Sequence, residues 1–242
     1  MPEIRVFPDT RALSRGAAEL FVFHSHRALE RSGRFAVALS GGSSPLPVFE
    51  MLASEPLWRA VPWDRTHVFW GDDRAVGPDH EHSNYRPARD LLLSRVPIPG
   101  DHVHRIRGEL GAQDAAVAYR QELARFFEDA VPAFDLMLQG LGPDGHTASL
   151  FPGSHALDSR EWVEPVPAPD MEPRVERVTM TLPLLAAAKN VIVLATGVSK
   201  APVLKNIFSA ASESEKYPVA RLFSGDVLWL TDQPTHALAT EG

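Results

Sequence analysis

The sequence predicts an α/β fold, a doubly wound and mainly parallel sheet flanked by helices. Three observations carry this. Several short runs, such as FAVAL (Phe35–Leu39), FDLML (Phe134–Leu138) and VIVLA (Val191–Ala195), are apolar throughout or, in FDLML, but for one residue, as strands covered on both faces are. These runs alternate with segments of helical periodicity, the signature of βαβ units. The pattern continues without a clear break through all 242 residues, so a single domain over residues 1–242 is expected.

Taken in order, strands are expected at Ile4–Phe7, Phe35–Leu39, His67–Trp70, Val103–Ile106, Phe134–Leu138, Arg177–Thr181, Val191–Ala195 and Val227–Leu230. Helices are expected near Ala12–Arg31, Pro45–Leu52, Tyr85–Arg95, Ala112–Asp129, Leu182–Ala188 and Lys200–Ala210. The Pro-rich stretch WVEPVPAPDMEPRVERVTM reads as a long loop or edge segment, because more α/β pattern follows it. No internal repeat is visible.

Composition excludes several function classes. The chain has no cysteine, so disulfides and thiolate chemistry are ruled out and a cytoplasmic setting fits. The N-terminal MPEIRVFPDT lacks a charged-then-apolar signal pattern. No apolar run approaches the roughly 20 residues that span a bilayer. Net charge is −7 with no basic block, which argues against nucleic-acid or anionic-membrane binding. An anionic substrate would have to be held by a few local donors.

Four loops follow strands, where open α/β sheets bind ligands. The first, Ser40-Gly41-Gly42-Ser43-Ser44-Pro45, reads as a phosphate cradle. Glycine lets another group approach the backbone, and free N–H groups at a helix start attract anions. Ser43 or Ser44 is expected to cap the helix, with Pro45 in its first turn. Neither a Walker loop, a G-x-G-x-x-G fingerprint nor a nucleophile elbow is present. The second loop carries Asp72, Asp73 and Arg74, followed by Ser83-Asn84-Tyr85. The third is Gly140-Leu141-Gly142-Pro143-Asp144-Gly145-His146-Thr147, a backbone path framed by glycines that ends on a histidine suited to proton transfer near neutral pH. The fourth, TGVSKA, brings Lys200, a cation for a phosphate. Each loop alone could be an ordinary turn; four together supply an anion cradle, cations, carboxylates and a base.

With SGGSSP, WGDDRAV…SNY, LGPDGHTASLFPG and TGVSKA in this order, the chain resembles the 6-phosphogluconolactonases and, in part, the related glucosamine-6-phosphate deaminases. The resemblance runs from about Ile4 to Leu230. It implies a three-layer α/β sandwich and hydrolysis of 6-phosphoglucono-δ-lactone without cofactor or metal, by a monomer whose partner is the small phosphosugar. His146 matches the proton-transfer residue, with Asp144 or Asp72 orienting it. Ser40, Gly41, Gly42, Ser43, Arg74, Asn84, Gly145 and Lys200 are the implied substrate-binding residues, and amides near Gly145, or Arg74, are the implied oxyanion donors. One departure is visible: the family commonly reads Asp-Glu-Arg where this chain has Asp72-Asp73-Arg74.

Rival readings remain at this stage. Deaminases carry a glutamate a few residues after the histidine, whereas His146 to Pro152 contains no acid. A non-catalytic phosphosugar sensor would need the cradle but not His146. A metal site could draw on the pairs His24/His26, His80/His82 and His102/His104. Spacing of two shares a face only in a strand, and HVH lacks a nearby third ligand.

Overall fold

The computed structural model describes residues 3–128, 130–208, 216–222 and 227–240. The chain opens with β1 (Glu3–Phe7) and α1 (Thr10–Ser32). Asp9 caps α1 by accepting from the Ala12 N–H at 2.7 Å, and Gly33 ends it in the left-handed region. Leu13, Ala17, Phe21 and Ala28 form its buried face. Then come β2 (Phe35–Leu39), α2 (Leu46–Leu52), α3 (Leu57–Ala60), β3 (Thr66–Trp70), β4 (Asp72–Arg74), α4 (Tyr85–Leu91), β5 (Val103–His104), α5 (Ala112–Phe126) and β6 (Leu136–Gly140). The remainder is β7 (Val163–Val166), β8 (Arg177–Met180), α6 (Leu182–Ala186), β9 (Val191–Ala195), α7 (Ala201–Phe208), β10 (Val227–Asp232) and α8 (Gln233–Thr240).

Among the described residues seven strands form one sheet in the order β1-β10-β9-β6-β2-β3-β5, and every neighbouring pair is parallel. Its central strands β2 and β9 are buried throughout, which explains why they read as unbroken apolar runs. From β2 the chain builds outward through β3 to β5; from β6 it builds the other way through β9 and β10. The strand order therefore reverses between the adjacent β2 and β6. A small antiparallel sheet, β4-β8-β7, stands beside it. α1 packs on β2 and β10, and α5 packs on β7 and β8. Among the described residues no helix is long and apolar enough to cross a membrane.

The expected strands and helices form, with several differences. Asp72–Arg74, read as loop, is strand β4. Within the Pro-rich stretch, β7 is an edge strand, where Pro165 forfeits no needed bond. Helix α4 stops at Leu91, and Leu93–Arg95 is a 3-10 turn. α3 and α8 were not expected. The helix expected from Lys200 starts at Ala201, Lys200 closing a 3-10 turn. The expected ends of α5 at Asp129 and of α7 at Ala210 lie outside the described residues. Strand β6 begins at Leu136 rather than Phe134, because Asp135 is used differently. Its carboxylate accepts from Arg31 at 2.6 Å, Lys189 at 2.7 Å and the Ala36 N–H at 2.9 Å.

That carboxylate is buried while both cations are half-exposed, so the ion pairs count for less than the stranded amide would. Asp135→Ala leaves the Ala36 N–H without its acceptor and should cost about 2–3 kcal/mol. Urea unfolding measures it. A change within about 0.5 kcal/mol would mean that Asp135 does not join α1, β2 and the turn that leads into β9.

Candidate active site

Because all strands of the large sheet run parallel, the loops after β2, β3, β6 and β9 leave from one edge, on either side of the point where strand order reverses. There they enclose a cavity of about 180 Å³. Ser40, Gly41, Gly42, Ser43, Asp72, Arg74, Asn84, His146 and Lys200 line it, joined by Gly142, Ala148 and Arg177. A larger, more open groove of about 730 Å³ along Phe151–His155 and Val166–Met171 lies beside the site, and Asp144 lines that groove and not the cavity.

The loop after β6 turns tightly. The Gly142 N–H donates to the His146 carbonyl at 2.8 Å and the Gly145 N–H to the Gly142 carbonyl at 3.1 Å. A Cβ on Gly142 would overlap the His146 ring; glycine here makes room for the imidazole. His146 Nδ1 lies 2.5 Å from Asp144 Oδ1. A carboxylate only accepts, so Nδ1 carries a proton, and in the neutral ring the lone pair is then on Nε2. Burial pushes the Asp144 carboxyl up, but its hydrogen bonds to the His146 side chain and amide outweigh that and hold it below the usual carboxylate range. Phe151 packs 4.6 Å from the imidazole.

Asp72 does not touch that ring. Its Oδ2 accepts from Ser149 Oγ at 2.6 Å, and its Oδ1 from Asn84 Nδ2 at 3.3 Å. Of the two candidates, Asp144 alone is bonded to His146. Asn84 also accepts from Arg74 Nη1 through its side-chain oxygen. Its carboxamide fills the space a Cβ on Gly41 would need. Gly41 is therefore glycine because Asn84 leans on it. Asp73 is turned away and lies outside the cavity lining. Burial raises its carboxyl to about 6, against the pull of main-chain donors at Asn84 and Arg74.

Three expectations need correcting. Gly145 does not line the cavity: it faces the Tyr217 ring, its carbonyl accepts from the Val219 N–H, and its own N–H is spent on Gly142. It has no amide left for an oxyanion. Ser43 and Ser44 do not cap α2, whose N-terminal neighbour is Pro45; Ser44 Oγ instead meets Thr196 Oγ1 at 3.1 Å and ties the first loop to the fourth. Seven-residue α2 starts only at Leu46.

Sequence reasoning missed Arg177. It pairs across strands with Arg74, is 4% exposed, and lines the cavity. Burial lowers its pKa, and the Arg74 charge lowers it further. Like charges directly opposite are unfavourable, and an anion between them would relieve this. Nε of both arginines, and Ser40 Oγ, are buried with no partner among the described residues. No sequence signal marks Arg177, which opens an otherwise ordinary strand. Lys200 also loses basicity to burial, partly offset by the Asp144 charge. As for metals, no group of three or more ligating side chains placed to hold an ion is found among the described residues. His104 bonds His67 at 3.1 Å and Glu122 at 2.7 Å, away from the cavity.

Known proteins match this arrangement over nearly the whole chain. The family model described as glucosamine-6-phosphate isomerases/6-phosphogluconolactonase matches residues 8–229. A 6-phosphogluconolactonase from Nostoc sp. is 40% identical over 95% of both chains. One from Rattus norvegicus is 38% identical, over 95% of this chain and 91% of its own. The solved 6-phosphogluconolactonase of Trypanosoma brucei superposes with a TM-score of 0.86 at 34% identity, covering 98% of each chain. A monomeric glucosamine-6-phosphate deaminase, at 19% identity and a TM-score of 0.82, shares the fold. The chain belongs to the glucosamine-6-phosphate isomerase/6-phosphogluconolactonase family.

Proposed function

We propose that this chain hydrolyses 6-phospho-D-glucono-1,5-lactone to 6-phospho-D-gluconate. The observation that carries the reading is His146, held by Asp144 from outside the cavity, in a lining shared with Lys200, Arg74 and Arg177. A neutral imidazole held by a carboxylate is a general base, and clustered cations suit a phosphorylated substrate. The names of the relatives agree. Ser149 stands in the segment where a deaminase would carry its glutamate, and it donates to Asp72.

In the proposed mechanism His146 Nε2 takes a proton from water as the water oxygen bonds to C1. Charge develops on the carbonyl oxygen. The amides of Gly145 and His146 are engaged within the loop, so Arg74 and Arg177 are left to stabilise it. The tetrahedral intermediate collapses, the bond from C1 to the ring oxygen breaks, and protonated His146 returns its proton to that oxygen. Asp144 keeps the ring in the right tautomer and offsets its transient charge. Lys200 and the Ser40–Ser43 loop hold the 6-phosphate, so binding energy remote from C1 sets the geometry at it. No step requires a cofactor. One chain supplies every group, which suits a monomer, and the lack of cysteine suits the cytoplasm.

Turnover of freshly made lactone tests the reading. His146→Ala should remain folded and lose about 10²–10⁴-fold in kcat. Near-wild-type turnover, after subtraction of spontaneous hydrolysis, would remove His146 from the chemistry.

Lys200→Ala should lower kcat/KM for the phosphorylated lactone roughly 10- to 150-fold, the worth of a charge-assisted hydrogen bond. Glucono-δ-lactone, which lacks the phosphate, should barely respond. An equal fall on both substrates would mean that Lys200 does not read phosphate.

The depressed basicity of Lys200 gives a pH dependence with a definite sign. The ammonium form binds phosphate and is lost at a lower pH than an ordinary lysine would be. Affinity for 6-phosphogluconate, by calorimetry, should therefore fall as pH rises through the alkaline range below about 10.4, the ordinary lysine value. Lys200→Arg should flatten that fall. The same fall in both proteins would place its origin elsewhere.

A further inference from the structure

We propose that Asp73 is a positioning residue: its carboxylate ties down the Ser83–Tyr85 turn so that Asn84 holds Arg74 and Asp72 at the site. The kinetic part of this proposal rests on the lactonase reading. Alternation along β4 sends Asp72 and Arg74 to one face and Asp73 to the other. There Asp73 is 2% exposed. Oδ1 accepts from the Arg74 N–H at 2.7 Å and the Asn84 N–H at 2.6 Å. Oδ2 accepts from the Tyr85 N–H at 3.1 Å and Ser83 Oγ at 3.3 Å. All four donors are neutral, and three of them belong to a turn ten to twelve residues further along the chain.

What this fixes is the backbone of Asn84. From that backbone the carboxamide reaches three site residues on two segments. Nδ2 donates to the Asp72 carbonyl at 3.0 Å and to its carboxylate at 3.3 Å, Oδ1 accepts from Arg74, and the group packs on Gly41. Arg74 Nη1 also donates to the His82 carbonyl at 3.0 Å, on the same turn. Without Asp73, the turn would lose the acceptor of three of its donors, and the Asn84 carboxamide and Arg74 guanidinium would have to hold it to β4 unaided. A buried carboxylate with four filled acceptor positions is a demanding choice. It is well suited to fixing a loop whose N–H groups would otherwise compete for solvent. Asparagine at this position would set an NH₂ group against a main-chain donor.

A double-mutant cycle tests the chain of contacts. It uses Asp73→Asn, Asn84→Ala and the pair, read as kcat/KM on the phosphorylated lactone and as calorimetric affinity for 6-phosphogluconate, with thermal melts to count folded protein. Asp73→Asn should lose roughly 10- to 100-fold in kcat/KM per folded molecule, comparable to breaking hydrogen bonds to charged groups. The double variant should lie within about threefold of Asn84→Ala alone. Losses that multiply would overturn the proposal, as would a lowered melting temperature with kcat/KM and affinity unchanged. Should Asp73→Asn fail to fold, Asp73→Glu, which keeps the charge and shifts it by one methylene, enters the same cycle with the same criteria. If the wild type itself shows no turnover, the lactonase reading fails, and the cycle is judged on affinity alone.

Discussion

Parallel pairing of the seven strands is the constraint from which the site follows. A parallel strand delivers its carboxyl end to the same edge as its neighbour, so the loops after β2, β3, β6 and β9 cannot avoid one another. The reversal of strand order between β2 and β6 then opens a crevice, because successive connections leave in opposite directions. The glycine loop and the histidine loop are the two walls of that crevice. The buried apolar strands beneath give these loops a rigid base, and this allows a cavity of about 180 Å³ to carry the Asp72 carboxylate and four basic side chains, His146 among them.

Charges this close need mutual support. Arg74 and Arg177 stand opposite each other across β4 and β8, close to Asp72. Asp72 is in turn held by Ser149 and Asn84. The site thus contains a local excess of fixed cations on a chain of net charge −7, which is how an acidic protein can hold an anion. The small sheet β4-β8-β7 is the device that places Arg177 there. It also binds the histidine loop, since the Ser149 N–H donates to Thr179 Oγ1 on β8 at 3.1 Å.

Much of this was legible in the sequence, and the parts that were not share a cause. Buried strands announce themselves through FAVAL and VIVLA, and the loops after them through Gly, Ser and Asp. His146, Lys200 and Arg74 could be picked out because each stands in the stretch that follows a buried apolar strand. Arg177 could not: it is the first residue of its strand, and only the antiparallel pairing with β4 brings it to the cavity. β4 itself is three charged residues long, and nothing in such composition predicts a strand. Gly145 failed for the opposite reason. It sits in the right motif, but its carbonyl, its amide and its open face are all taken up by the loop and by Tyr217–Val219. Contacts between residues distant in sequence decide such cases, as they do for Asp73 and the Ser83–Tyr85 turn.

The central claim is that substrate lies with C1 at His146 and its phosphate at Lys200. A crystal structure of the complex with 6-phosphogluconate addresses it most directly. The account predicts a C1 carboxylate oxygen within hydrogen-bond reach of His146 Nε2, about 2.6–3.2 Å, and the phosphate in contact with the Lys200 ammonium and the Ser40–Ser43 loop. A ligand bound the other way round, with phosphate on His146 and C1 away from it, would contradict it.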